Sequence, residues 1–248
     1  MEHGSLQALK GTFGEDRVSD GARRQMVRDL FDRVAPRYDV MNDLMSLGLH
    51  RLWKAETVAI ALAAASEPGP VIDLAGGTGD LAALLRRKAP DRLVVNLDGS
   101  PGMVREAAAR AIDGLGLAVA EAEHLPLRDG AVALFTLSFG LRNMTDPQAA
   151  LCEVNRALAS GGVLALLEFS KPYAWFAPFY DLYSRFVIPA LGAAVARDRR
   201  AYRYLIESIR RFPGADSISS ELALAGFRVV RVKRFMLGIA ALHVAVKP

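Results

Sequence analysis

The chain is 248 residues long, 52% hydrophobic and 23% charged, with one cysteine and a formal net charge of +4. These values exclude a disordered chain and a disulfide-stapled one, and the length suits a single large domain with a substantial core. No uncharged run approaches the roughly 18 residues of a spanning helix, and the N-terminal stretch holds no signal-peptide run, so a cytoplasmic location is expected.

Residues 1–19 are polar and glycine-containing and read as a mobile lead-in to one domain spanning 1–248. Asp20 is placed to cap a helix that runs to Pro36. Tyr38 to Met45 is a compact apolar segment broken by Asp39 and Asn42, and a second helix runs from about Leu49 to Ala65. Residues 20–66 precede the first strand, so they read as a helical lid over a cleft instead of a support for the sheet.

Val71 to Leu74 reads as a buried strand, and residues 75–79 carry no large side chain, so the backbone turns tightly and can approach a ligand. From Asp80 the spacing becomes helical. The next strand ends in Asp98, about 20 residues after the glycines, where an acid reaches a ribose hydroxyl pair. A dinucleotide fingerprint wants a third glycine where Asp80 stands, and that charge would repel a diphosphate.

Ser100-Pro101 starts a helix over 103–112. Strands follow over 117–120, 132–139 and 163–169, with a helix over 147–158 between the last two. Cys152 falls in that helix's apolar pattern and reads as core filler. Strands alternating with helices imply a parallel α/β sheet with right-handed crossovers. Residues 173–212 break the rhythm with many aromatics and read as a helical insertion, either packed core or an apolar channel. A helix over 217–225 and two strands, 227–235 and 239–246, close the chain.

The loop Asp73-x-Ala75-x-Gly77-x-Gly79 resembles the first motif of class I S-adenosylmethionine-dependent methyltransferases. Phe31-Asp32-Arg33-Val34-Ala35-Pro36-Arg37-Tyr38-Asp39-Val40-Met41-Asn42-Asp43, His50-Arg51-Leu52-Trp53-Lys54, Ser138-Phe139-Gly140-Leu141-Arg142-Asn143 and Leu167-Glu168-Phe169-Ser170-Lys171-Pro172 are more specific. Together they resemble the ubiquinone/menaquinone biosynthesis C-methyltransferases. The resemblance implies a Rossmann-like seven-stranded sheet with its last strand antiparallel, and methyl transfer to a ring carbon of a polyprenylated quinol. It implies S-adenosylmethionine as cofactor, bound at Asp73, Gly77 and Thr78, with Asp98 on the ribose, Glu121 and Ala122 beside the adenine, and Ser138 at the fourth strand's end. Glu121 departs from the asparagine common in such sequences.

Arg142 and Asn143 follow the fourth strand, where ligands of open sheets bind, and are the candidate catalytic pair, Arg142 stabilising a quinol oxyanion. His50 and His243 are either alternative proton acceptors or structural; Tyr38, Asp39 and Asn42 either line the cleft or cap and pack helices, and Glu168 at the cleft rim either binds substrate or pairs with an Arg or Lys. Scattered His and Cys indicate no metal. A prenyl tail implies peripheral contact with the inner face of a membrane, and dispersed basic residues give no nucleic-acid face. A homo-oligomer is left open. Rival readings are a methyltransferase acting on RNA or another phenol, and a non-catalytic binding subunit of a quinone-synthesis assembly.

Overall fold

The computed structural model describes residues 5–14, 16–183 and 199–248. Among them, β1 (Thr12–Phe13) and β2 (Asp16–Arg17) form a small hairpin. The other strands, β3 (Val71–Leu74), β4 (Val94–Asp98), β5 (Leu115–Val119), β6 (Val132–Ser138), β7 (Leu158–Phe169), β8 (Arg228–Phe235) and β9 (Ala240–Val246), make one seven-stranded sheet. Its order is β5-β4-β3-β6-β7-β9-β8. Strands β3 to β7 pair in parallel, and β9 runs antiparallel to both neighbours. The last strand is therefore antiparallel, and β8 forms the edge.

β3 is buried at every position and β6 at all but its last, because helices cover both faces. One face packs Leu74, Phe135, Leu137 and Leu166 against Leu151, Val154 and Leu222, from α6 (Pro147–Ala157) and the C-terminal helix Ala215–Leu224. The opposite face packs Val71, Leu134, Val163 and Leu242 against Leu81 and Leu85 of α4 (Asp80–Lys88). The chain leaves β3 toward β4 on one side, and β6 lies on the other. The crevice at the carboxyl ends of β3 and β6 is thus the switch point where open α/β sheets bind ligands.

The N-terminal helices are α1 (Asp20–Val34), α2 (Tyr38–Ser46) and α3 (Leu49–Ala64). The lid expectation needs correction for α3. Its Trp53, Val58 and Ala61 pack into the core beneath β3, β6 and β7, so this helix supports the sheet. Ser19, not Asp20, caps α1, its side chain accepting from the Ala22 amide. The described part of the lead-in is held as well: Leu6 and Leu9 are buried in the main core, and the Leu6 amide donates to Glu221 Oε1 at 3.0 Å. Two apolar anchors suffice to hold a stretch that is polar on average.

Cys152 corrects another expectation. It lies on the exposed side of α6, one position from the buried Leu151, because the helix turns it away from the sheet. The aromatic insertion is described as far as Tyr183 and includes α7 (Ala177–Leu182). Phe186, Val187, Ile188 and Pro189 lie outside the described residues. Strand β7 begins earlier than expected, at Leu158, carrying Gly161-Gly162 within it. The predicted helix near 103–112 is α5, Pro101–Ala109, with Ser100 as its cap. Two further helices, α8 (Arg199–Arg211) and α9 (Ala215–Leu224), precede the closing strands. No helix among the described residues is long and apolar enough to cross a membrane.

Candidate active site

The turn after β3 requires backbone that side chains resist. Gly77 and Gly79 have φ of 57° and 83°, and Ala75 and Phe139, neither glycine, are held at 51° and 57°. A Cβ on Gly140 would stand 2.6 Å from the Ala75 Cβ, so the turns after β3 and β6 meet closely there. Above them opens a cavity of about 750 Å³, counting the space at its mouth.

One end of the cavity is acidic and is organised by backbone amides. Asp98 Oδ2 accepts from the Gly77 amide at 2.9 Å, and Oδ1 accepts from the Ser100 amide at 2.8 Å. Each oxygen retains a lone pair for a ligand hydroxyl. Burial pushes the Asp98 carboxyl up to about 6, its two amide donors pull it down, and Glu121 and Asp32 push it further up. Asp32 itself accepts from Ser100 Oγ at 2.5 Å and from the Gly102 amide at 2.7 Å, tying α1 to the start of α5.

Glu121 and Ala122 line the same end, with Met103 as an apolar wall. Glu121 Oε1 accepts from Arg28 Nη2 of α1, while Arg28 Nε is buried without a partner. The lid is therefore fastened by a charge pair at this end. Farther along, Phe31 and Tyr38 close the roof; Tyr38 Cε1 would lie 3.7 Å from a Cβ on Gly77. Burial pushes the Tyr38 phenol upward, which keeps it a hydrogen-bond donor at neutral pH.

The structure brings Gly77, Asp98, Glu121, Ala122 and Asn143 to the cavity wall, and leaves four of the expected residues off it. Asp73 lies fully buried beneath the loop, accepting from Thr136 Oγ1 at 2.8 Å. Thr78 Oγ1 donates to Asp39 Oδ1 at 2.7 Å, within a cluster that includes Arg110, Asp80 and Lys54 and that fastens α2 to the loop. Ser138 stands at the end of β6 with its Oγ buried and unpartnered.

Arg142 is the fourth. It is 3% exposed, and its Nη1 donates to Glu168 Oε1 at 2.8 Å and to the Phe139 carbonyl. Its guanidinium also sits 5.0 Å over the Phe169 ring. Burial pushes Glu168 up, and Arg142 beside it pulls it back toward the charged form. A paired guanidinium presents little net charge to a ligand, so an oxyanion role for Arg142 alone is not what the geometry offers. The pair holds the short turn Leu141–Asn143 in place, and that turn delivers Asn143 to the cavity. Arg23 of α1 braces the same turn, donating from Nη2 to the Arg142 carbonyl at 3.1 Å and from Nη1 to the Met144 carbonyl. Asn143 Oδ1 accepts from Tyr204 OH at 3.2 Å.

Both histidines are structural. His50 Nε2 meets Asp43 Oδ1 at 2.9 Å, and His243 Nε2 meets the Ala215 carbonyl at 2.9 Å, which fixes the Nε2–H tautomer. Burial pushes both imidazoles down. Arg28 and Met103 line the cavity, yet no sequence signal gave them a role; they act through packing or pairing across distant elements.

The ubiE/COQ5 methyltransferase family matches residues 19–247. The chain belongs to that family. A ubiquinone/menaquinone biosynthesis C-methyltransferase of Rubrivivax gelatinosus is 46% identical over 239 residues, covering 96% of this chain and 94% of its own. One from Acidiphilium cryptum is 45% identical, covering 93% and 94%. Among solved structures, an S-adenosylmethionine-dependent methyltransferase from Thermotoga maritima aligns with TM-score 0.62 at 18% identity, covering 90% of this chain and all of its own. The [4+2]-cyclase SpnF aligns with TM-score 0.64 at 18% identity, covering 90% and 96%. These neighbours share the fold; membership of the family is what makes this methyltransferase an enzyme of methyl transfer.

The Arg142–Glu168 pair generates a stability prediction for this methyltransferase. Removing one partner strands a buried charge, so Arg142→Met or Glu168→Gln should each lower the unfolding free energy by about 3–5 kcal/mol. The double variant Arg142→Met/Glu168→Leu should recover most of that loss in urea unfolding. Independent, additive losses would mean that the two groups do not act as a pair.

Proposed function

We propose that the chain transfers a methyl group from S-adenosylmethionine to a ring carbon of a polyprenylated quinol. Demethylmenaquinol and 2-polyprenyl-6-methoxy-1,4-benzoquinol are the acceptors this reading names. The observation that carries it is the Asp98 carboxylate, fixed by two amides and facing a cavity that Tyr38 and Asn143 also line. The residues present fit an adenosine-bearing ligand. The walls of the cavity are mostly apolar, and its acidic end offers acceptors to hydroxyl and amino groups.

Adenosylmethionine, when bound, supplies an electrophilic methyl group on a sulfonium sulfur. The chain must then make the acceptor ring nucleophilic and hold it in line. A ring carbon gains electron density as a neighbouring hydroxyl loses its proton, so groups that donate to the forming oxyanion accelerate the reaction. Asn143 and Tyr38 face the cavity and can donate there. Arg142 and Glu168 act on the reaction by positioning the Leu141–Asn143 turn. Neither His50 nor His243 lines the cavity, so the reading routes the proton to water at the cavity mouth.

The quinol's tail needs an apolar surface. Trp175, Phe179 and Leu182 stand 64%, 65% and 61% exposed along α7 and its approach, at helical spacing. Exposed aromatics of this kind support peripheral contact with a bilayer. Vesicles should therefore co-sediment the protein, and Trp175→Ser/Phe179→Ser should abolish that binding while leaving the fold intact by circular dichroism. Unchanged co-sedimentation of the double variant would return these side chains to ordinary surface.

Asp98 tests the cofactor assignment. Each hydrogen bond to a charged group contributes roughly 1.5–3 kcal/mol, so Asp98→Ala should weaken adenosylmethionine binding by at least about tenfold in calorimetry. Unchanged affinity would remove Asp98 from the site, and tight binding of NADH by the wild type would overturn the cofactor itself.

A further inference from the structure

Asp73, Asn96 and Thr136 are partners across three adjacent strands: Asp73 pairs with Asn96 in β4 and with Thr136 in β6. All three are fully buried. Thr136 Oγ1 donates to Asp73 Oδ1 at 2.8 Å, and Asn96 Nδ2 donates to the Gly77 carbonyl at 3.2 Å. A carbonyl can only accept, so the Asn96 amide is oriented without ambiguity: its nitrogen faces the loop and its Oδ1 faces away from it. Asp73 Oδ2 and Asn96 Oδ1 are then both buried with no donor. They converge on one point over Gly76, where a Cβ would collide with both. Asn96 Oδ1 and Asp73 Oδ2 lie 1.9 and 2.6 Å from that Cβ position, neighbours with no hydrogen atom from any donor on either.

We propose that Asp73 is a neutral carboxylic acid whose Oδ2–H donates to Asn96 Oδ1, making it a positioning residue for the cofactor loop. Every link then donates to the next, from Thr136 to Asp73, to Asn96, to the Gly77 carbonyl. The Gly77 amide, on the other side of the same residue, donates to Asp98 at 2.9 Å, so the chain fixes the loop residue that holds the carboxylate facing the cavity. A chain of this polarity strengthens each of its members. It also explains why Asp73 is absent from the cavity wall although it sits in the loop motif.

The charged surroundings are compatible with a proton there. From α3, Lys54 favours the ionised form but is engaged by Asp80 Oδ2 at 3.4 Å, and Asp80 also holds Arg110. From β6 the Thr136 hydroxyl and from α4 the Ala82 amide hydrogen-bond the carboxyl and favour the ionised form, while from β4 Asp98 disfavours it. Burial outweighs these and pushes the Asp73 carboxyl up to about 7. The sign follows directly: the neutral, donating form is complete at lower pH and is lost as pH rises through that value. Ionised Asp73 would face Asn96 Oδ1 with like polarity, release the Gly77 carbonyl from its fixed partner, and loosen the loop.

The test compares wild type with Asp73→Asn, whose amide nitrogen can donate to Asn96 at any pH. It rests on the reading that the cavity takes an adenosyl ligand, and the probe is S-adenosylhomocysteine in calorimetry from about pH 6 to pH 9. The ligand's own titration is common to both proteins and cancels in the ratio of their dissociation constants. That ratio, wild type over variant, should stay near one at low pH and grow by up to about tenfold per unit above pH 7. A variant that binds much more weakly throughout, with the gap widening as pH rises, would mean that ionised Asp73 serves the ligand, overturning the proposal. So would a ratio independent of pH. Infrared spectroscopy of the ligand-free wild type provides a second readout: a protonated-carboxyl stretch that shifts in D2O, vanishes by pH 9 and is missing in Asp73→Asn. Its absence from the wild type contradicts the proposal even where the variant fails to fold. Failure of both proteins to bind adenosylhomocysteine would strike the cofactor reading instead, with the infrared band still deciding the proton.

Discussion

The structure depends on the crowding at Gly76, where the chain leaves β3 directly over a layer of buried polar side chains. Asp73, Asn96 and Thr136 occupy one register across three adjacent strands, between two apolar core layers. A one-residue slip of any of these strands would point its polar side chain at the opposite face and leave it unpaired. The layer therefore specifies register as well as the loop above it. With Gly76 unable to carry a side chain, the loop lies close enough for its amides and carbonyls to be gripped from below. What remains exposed above is a backbone surface already aimed at a ligand.

The same logic organises the roof. Ion pairs and hydrogen bonds to carboxylates fasten the N-terminal helices to the loop system: Arg28 to Glu121, Asp39 to Thr78 and Arg110, and Asp32 to Ser100 and Gly102. Each is partly screened by solvent, so each contributes modestly alone, and together they set how the lid sits. Beneath them, the Arg142–Glu168 pair is fully buried and holds the turn that carries Asn143. Polar groups on this side of the molecule thus position one another, and only a few of them reach the cavity.

Much of this was legible in the sequence because it rests on local chemistry. The Val71–Leu74 strand, the small-residue turn, the acid ending β4 and the Ser100-Pro101 helix start all announce themselves within a few residues. What escaped was long-range. Leu6 and Leu9 find a core far away along the chain, Cys152 turns outward on a helix whose inner face is a matter of degrees, and α3 reaches beneath the sheet. Arg142 read as a ligand-facing cation because a linear sequence can offer Glu168 a basic partner without saying which one the neighbouring strand brings to it. The left-handed backbones of Ala75 and Phe139 carry no sequence signal at all; they are imposed by the close approach of two turns.

The neighbours of known structure underline that the sheet does not determine the reaction, since a cyclase and methyltransferases share it. What gives this chain its chemistry is the set of side chains on the cavity wall. The most direct measurement supplies methyl-¹³C adenosylmethionine and a prenylated quinol lacking one ring methyl to the purified protein, and locates the label in the product by NMR. The account predicts that the labelled methyl is bonded to a ring carbon. Label on a quinol oxygen, or no transfer by folded protein that binds the donor, would contradict it.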